Sequence, residues 1–79
     1  MNKDIEIKKF IGKELMLLRK DYGLSNEALA VKINIAPSTL SRYENGKGKM
    51  QLEIIEKIVS ACDSNIFIFF NNCFAKLQK

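Results

Sequence analysis

The side chains best suited to chemistry in this sequence lie between positions 37 and 46. Leu40 and Tyr43 are three residues apart, which is the spacing of a buried stripe on a short helix. The residues left to face solvent are polar: Ser38, Thr39, Ser41 and Arg42. A guanidinium offers two parallel donors, and a hydroxyl both donates and accepts, so this face is able to hydrogen-bond the edges of nucleic-acid bases.

The preceding residues predict a second short helix that would hold this face in place. Ser25 is a good N-cap, and Glu27 follows in the first turn, where the helix dipole favours a carboxylate. Asn34 tolerates a left-handed helix end, Pro37 suits the first position of the next helix, and Gly46 ends it. The apolar face of the first of these helices would include Ala28, Leu29 and Ile33. Two short helices about four residues apart are typical of a helix-turn-helix over residues 25–46.

The motifs LSNEALA at residues 24–30 and STLSRYENGK at residues 38–47 resemble the Cro/repressor-type helix-turn-helix family. This family (lambda-repressor-like, XRE family) comprises phage and bacterial regulators, and the resemblance covers about residues 10–70. Three positions depart from its usual pattern. Asn34 replaces the common turn glycine, Ala36 replaces a hydroxyl N-cap, and Asn26 stands where glutamine is commonest.

The resemblance implies an all-α, five-helix, lambda-repressor-like fold and a set of DNA-binding residues. It places four side chains toward base edges: Pro37, Ser38, Ser41 and Arg42. It assigns phosphate contacts to Asn26, Thr39 and Asn45. Arg19 and Glu44 match family positions at which a structural ion pair recurs.

Lys47 and Lys49 lie on a glycine-flanked loop just after the predicted recognition helix, where they would suit phosphate contact. An ordinary solvated turn is the alternative interpretation of this loop.

Helical periodicity also predicts the two helices that flank the motif. The first helix would be capped by Asn2 or Asp4 and would run to Tyr22, with Gly23 in a left-handed conformation after it. Its apolar face would comprise Ile7, Phe10, Ile11, Leu15, Leu18 and Tyr22, with Lys13, Arg19 and Lys20 toward the other side. The fourth helix, from about Gln51 to Cys62, would bury Leu52, Ile55, Ile58, Val59 and Cys62.

The segment 64–79 is too apolar for one side of a single helix. Six residues match a helical template from Ile66 to Leu77, and Asn65 is a competent N-cap, so a fifth helix over 66–76 is predicted. Phe67, Ile68 and the flank of Phe74 would remain uncovered, which favours a dimer surface. The predicted interface comprises Ile66, Phe67, Phe70, Phe74 and Leu77. A β-arm dimer through residues 66–70 is the alternative.

Composition limits the other possibilities. A chain of 79 residues allows one small domain, here taken as residues 1–79, and its formal charge of +4 permits nucleic-acid binding. There is no histidine, and Cys62 and Cys73 fit small buried hydrophobes better than a disulfide or a metal site. No cofactor, catalytic motif, effector domain, signal peptide or membrane span is recognisable, so a cytoplasmic protein that is not an enzyme is expected.

These features predict a sequence-specific transcription regulator that binds double-stranded DNA. It would act without a small-molecule effector, as a symmetric homodimer on a pseudo-palindromic operator. The alternative is an antitoxin or anti-regulator that uses the same fold mainly to bind another protein.

Overall fold

The computed structural model describes residues 3–78, with side chains from residue 6 onward, and this part of the chain is all-α. It contains five helices and no strand: α1 Lys3–Tyr22, α2 Asn26–Lys32, α3 Pro37–Glu44, α4 Leu52–Ala61 and α5 Ile66–Leu77. The predicted five-helix architecture is therefore confirmed. The β-arm alternative for residues 66–70 is wrong for the described chain, because this segment is the start of α5 and buries Phe69 and Cys73 at helical spacing.

The helix starts follow their local capping residues. The Ser25 hydroxyl accepts a hydrogen bond from the backbone N–H of Ala28 at 3.1 Å, and the Asn65 side-chain oxygen accepts one from Ile68 at 3.0 Å. Each cap satisfies one backbone donor that the first helical turn leaves without a partner. Ala36 stands at the N-cap of α3 and provides no side-chain bond, as its residue type dictates.

The turns between helices use residues with positive φ. Gly23 has φ +90° and Asn34 has φ 59°, as predicted from the sequence. Asp63 has φ 60° after α4, and the sequence analysis did not identify this turn residue. Of the two caps predicted for α1, Asn2 lies outside the described residues, and Asp4 lies inside the helix.

The core is shared by all five helices. Its fully buried large side chains are Leu15, Leu29, Leu40, Ile58 and Val59. The backbones of α1 and α3 approach each other closely at Gly12, where an added Cβ would lie 2.4 Å from the carbonyl oxygen of Tyr43. Only glycine allows this contact, so Gly12 sets how deeply α3 sits against α1.

Four predictions of burial are wrong. Ile7, Tyr22 and Leu52 have exposed fractions of 54%, 47% and 63%, although each matches the apolar period of its helix. Ala28 is also exposed, while Ala30 is fully buried in its place. Periodicity identifies an apolar face of a helix. The neighbouring helices cover only part of the length of that face, and they decide which of its residues are buried.

The cysteines behave as small buried hydrophobes. Cys62 and Cys73 are both free and both buried. Burial raises the pKa of each thiol above its ordinary value, because a thiolate is disfavoured away from water. Both side chains therefore remain neutral at pH 7.

Within residues 3–78, no single helix is long and apolar enough to cross a membrane. Only α4 and α5 taken together meet those two criteria, and they are bent by 98° where they join.

Candidate nucleic-acid interface

Helix α3 presents its polar residues to solvent because its apolar residues hold it to the core. Leu40 is fully buried and Tyr43 is 6% exposed, which fixes the rotation of the helix about its axis. The predicted base-reading residues Pro37, Ser38 and Arg42 are exposed. Thr39 and Ser41 are half-buried at the edges of this face.

An open groove lies between the exposed face of α3 and the start of α4, and we call it the α3 groove. It is lined by Ser38, Thr39, Arg42, Tyr43, Lys47, Lys49, Gln51 and Ile54. The lining contains three cations and no carboxylate, so the groove favours an anionic ligand. The structure thus brings together two predicted base-reading residues and three predicted phosphate-contacting residues.

The loop that carries the two lysines is held by contacts with both α1 and α3. The Tyr43 hydroxyl accepts a hydrogen bond from the backbone N–H of Gln51 at 3.0 Å. The Lys8 ammonium donates to the carbonyl oxygen of Gly48 at 3.0 Å. At Gly46, which has φ +66°, an added Cβ would lie 2.6 Å from the α1 backbone. The loop is therefore anchored at three points, and the sequence analysis missed the contribution of Lys8 because nothing in its local pattern indicates the contact.

Two asparagines predicted to contact phosphate also organise the helix pair. Asn26 donates from its side-chain nitrogen to the hydroxyl of Ser41 at 3.3 Å, and this bond links α2 to α3. Asn45 donates to the backbone carbonyl of Ser41 at 2.8 Å, at the end of α3. Each amide group carries two N–H donors, so one remains on each asparagine for a further contact. Ser41 was predicted to face outward, but it is half-buried in this arrangement, with its hydroxyl proton still available.

The predicted pair of Arg19 and Glu44 is present. Arg19 Nε and Nη2 lie 2.6 Å and 3.1 Å from the two carboxylate oxygens of Glu44, and Nη1 donates to the carbonyl of Leu24 at 2.9 Å. The two side chains are only 9% and 7% exposed, which corrects the expectation that Arg19 lies on the solvent side of α1. Its hydrogen bond to Glu44 raises the pKa of Arg19, so the guanidinium remains charged. This bidentate pair fixes the end of α3 against the end of α1.

Within residues 3–78, the remaining charged groups do not form a second chemical site. No cluster of three or more Cys, Asp or Glu side chains within the described residues is arranged to hold a metal ion. Lys76 forms an ion pair with Glu14 at 2.6 Å, and this hydrogen bond raises the pKa of the lysine. The pair connects α5 to α1 on the surface.

Known sequences match this chain over the helices that form the site. The profile of the helix-turn-helix family HTH_3 matches residues 15–69. An uncharacterized HTH-type transcriptional regulator of Rickettsia conorii is 35% identical over 65 residues, which are 82% of this chain and 52% of that protein. The chain spans about half the length of the curated relatives that it matches.

Solved structures reproduce the arrangement of the five helices. The restriction–modification controller protein C.Esp1396I, crystallised as a tetramer in complex with its natural 35 base-pair operator, has a TM-score of 0.82 at 19% identity, covering 92% of this chain and 96% of that one. The clp gene regulator ClgR from Corynebacterium glutamicum has a TM-score of 0.79 at 20% identity, covering 87% and 88%. At these identities, the similarity supports the fold alone.

Proposed function

This chain belongs to the helix-turn-helix family HTH_3, and we propose that it regulates transcription by binding a pseudo-palindromic operator as a symmetric dimer. Its fold is a DNA-binding one, and its curated relatives are described as HTH-type transcriptional regulators. The observation that carries the proposal is the α3 groove, where Arg42 and Ser38 face solvent beside Lys47 and Lys49. The site of action would be the cytoplasm, without a cofactor or a small-molecule effector.

In this proposal α3 enters the major groove and reads bases with its outward residues. Arg42 bonds O6 and N7 of a guanine with two parallel donors, the commonest specific contact between protein and DNA. Ser38 and Ser41 donate to or accept from base edges with less discrimination, and Pro37 contacts a thymine methyl. The exposure of Arg42 supports this role. Within the described residues, no hydrogen bond occupies its guanidinium either, so its donors can reach a base.

Phosphate contacts would set the position of α3 along the duplex. Lys47 and Lys49 supply positive charge from the anchored loop, and Thr39 lines the same α3 groove. Asn26 and Asn45 each use one remaining N–H on a phosphate at either side of α3. Because lysines displace condensed counterions, the affinity should fall steeply with salt.

The dimer interface proposed for this chain is the outward face of α5. Phe67, Ile68, Phe74 and Leu77 have exposed fractions of 78%, 51%, 58% and 60%. Ile66 and Phe70 are half-buried and border this surface. A two-fold axis would cover the apolar surface of both copies at once, since the same patch meets itself. The resulting spacing of the two α3 helices would have to be about 34 Å, one turn of DNA.

The structural neighbour C.Esp1396I supports an assembled DNA-bound form by analogy, since it occupies its operator as a tetramer. Its identity to this chain is 19%, so its operator and its contacts do not transfer residue by residue. C.Esp1396I contributes only one point to the proposal, namely that more than one copy of this fold can bind the same DNA segment.

In vitro selection from a random duplex pool tests the proposal directly. We expect the purified chain to enrich a pseudo-palindrome with half-sites about one helical turn apart, and to bind it more tightly than random duplex. A salt titration of both duplexes should give linear plots of log affinity against log salt. Failure to enrich any sequence, together with no binding to random DNA at low salt, would favour a protein-binding role such as that of an antitoxin.

A further inference from the structure

Arg42 lies against Gly48 inside the α3 groove. A Cβ added to Gly48 would lie 2.9 Å from Nη2 of Arg42 and 3.7 Å from its Cζ. The guanidinium therefore occupies space next to the glycine backbone that any other residue would fill. Gly48 also has φ +74°, a conformation that side chains rarely adopt.

The carbonyl of Gly48 is held by α1. The Lys8 ammonium donates a hydrogen bond to the Gly48 carbonyl at 3.0 Å, across a separation of 40 residues. Gly48 is thus held through its carbonyl by one cation, and the guanidinium of another lies beside it. The position of Arg42 is in this way connected to a residue outside the helix-turn-helix.

Within the described residues, the contact with Gly48 uses none of the hydrogen-bond donors of Arg42. Among residues 3–78, no hydrogen bond involves the guanidinium of Arg42, so its donors are free for a ligand. A long side chain that is already restricted loses less conformational freedom when it binds than a freely rotating one. Packing against Gly48 would therefore favour the binding of Arg42 without competing for its hydrogen bonds.

We propose that Gly48 and Lys8 are positioning residues that restrain Arg42 in the free protein and thereby increase its discrimination between bases. The inference rests on the proposed function, in which Arg42 reads a base. The inference adds two residues outside α3 to those proposed for base reading, and Lys8 also precedes the region that matches the family profile.

The first test measures the position of Arg42 without DNA. Gly48→Ala should shift the Nε–Hε resonance of Arg42 and lower its heteronuclear NOE, because the new methyl group displaces the guanidinium. Gly23→Ala is the matched control, since Gly23 has φ +90° but an added Cβ there meets no atom within 4 Å. Both variants carry the same kind of backbone strain, and circular dichroism checks that both are folded. An unchanged Arg42 signal in Gly48→Ala, or an equally mobile signal in the unmodified protein, would overturn the inference.

The second test measures the ratio of operator affinity to random-duplex affinity. Gly48→Ala and Lys8→Met should lower this ratio about 3- to 10-fold, which is part of the discrimination supplied by a bidentate arginine–guanine contact. Gly23→Ala should leave it unchanged, and Lys8→Arg, which retains a donor, should restore it. Lys9→Met removes the same charge one residue away and should weaken binding to both duplexes equally.

The two proposals fail in distinguishable ways. If Lys8→Met and Lys9→Met weaken both duplexes equally, Lys8 acts by its charge alone and the positioning role is wrong, while DNA binding stands. If the unmodified chain binds no DNA, the proposed function fails, and the NMR comparison still decides whether Gly48 restrains Arg42.

Discussion

The two arginines of the sequence occupy opposite environments. Arg19 is 8% exposed and makes two bonds to Glu44 and one to a backbone carbonyl, so its charge is balanced inside the protein. Arg42 is exposed and packs on a glycine, and no hydrogen bond within residues 3–78 uses its donors. The same chemical group therefore serves stability at one position and, in our proposal, recognition at the other.

Replacing Arg42 with alanine should remove sequence discrimination. We expect a loss of about 1–3 kcal/mol in binding free energy at the selected operator and little change on random DNA. Arg42→Lys is the matched control, because it keeps the charge but lacks the fixed pair of donors, and it should lose most of the discrimination as well. Fluorescence anisotropy with both duplexes measures the two affinities. Equal weakening on operator and random DNA would assign Arg42 to a phosphate instead.

Removing one partner of the buried ion pair should destabilise the fold. Glu44→Ala leaves the guanidinium of Arg19 buried without its counter-charge, so we expect a loss of about 3–5 kcal/mol in unfolding free energy. The double variant Arg19→Met with Glu44→Ala should lose less than the single variant, because no charge is left unpaired. Urea unfolding followed by circular dichroism measures both. A loss below about 1 kcal/mol for Glu44→Ala would show that the pair behaves like an exposed one.

At the scale of elements, α2 and α3 differ in how they begin. The N-cap residues Ser25 and Ala36 have similar extended backbones, with φ −72° and ψ 164° in one and φ −69° and ψ 142° in the other. Only Ser25 supplies a side-chain acceptor, so α3 starts without the bond that α2 has. The candidate DNA-reading helix is therefore held by its packing and by the Arg19–Glu44 pair rather than by its own cap.

A hydroxyl at position 36 should strengthen the start of α3. We expect Ala36→Ser to raise the unfolding free energy by about 0.5–1 kcal/mol, because the backbone there already has cap geometry. Ala75→Ser, an exposed alanine inside α5, serves as the control and should be neutral or slightly destabilising. Urea midpoints of the two variants measure the difference. Equal stability of both would show that the first turn of α3 gains nothing from a side-chain acceptor.

At the scale of the whole molecule, the described part of the chain leaves an apolar side, formed largely by α5, uncovered. The exposed aromatics of α5 are continued by Leu52 from α4 and by Ile7 from α1, which line two grooves along the same helix. Two of the residues wrongly predicted as core thus lie at the edge of the proposed dimer surface. Burying a phenylalanine is worth about 1.5–3 kcal/mol, so association of two copies would recover several such contributions.

Placing a charge on this surface should yield a folded monomer. We expect Phe67→Glu to abolish dimerisation and to weaken operator binding strongly, since a single α3 reads only one half-site. Val31→Glu is the matched control, because Val31 is also 78% exposed but lies on α2, and it should leave the dimer intact. Analytical ultracentrifugation measures the assembly state. An unmodified protein that is monomeric at ~100 μM, well above a typical micromolar dissociation constant, would contradict the proposed dimer.

The sequence by itself determined the features that depend on residues a few positions apart. The caps at Ser25 and Asn65, the positive φ at Gly23 and Asn34, and the outward polar face of α3 are all local. Each follows from a hydrogen bond or a steric limit within one helical turn, so the residue type alone is sufficient evidence. The candidate DNA-facing residues instead came from the resemblance to a known family, and their contacts with DNA stay a prediction.

Only the tertiary structure decided which helix faces are covered and how the candidate nucleic-acid interface is held in place. The pair Arg19–Glu44 spans 25 residues and the bond from Lys8 to Gly48 spans 40. The resemblance to a known family indicated the first, and no pattern in the chain indicated the second. The close approach of α1 at Gly12 and the exposure of Ile7 and Leu52 depend likewise on where other helices end. Helical periodicity specifies an apolar face, whereas burial requires a second element to lie on it.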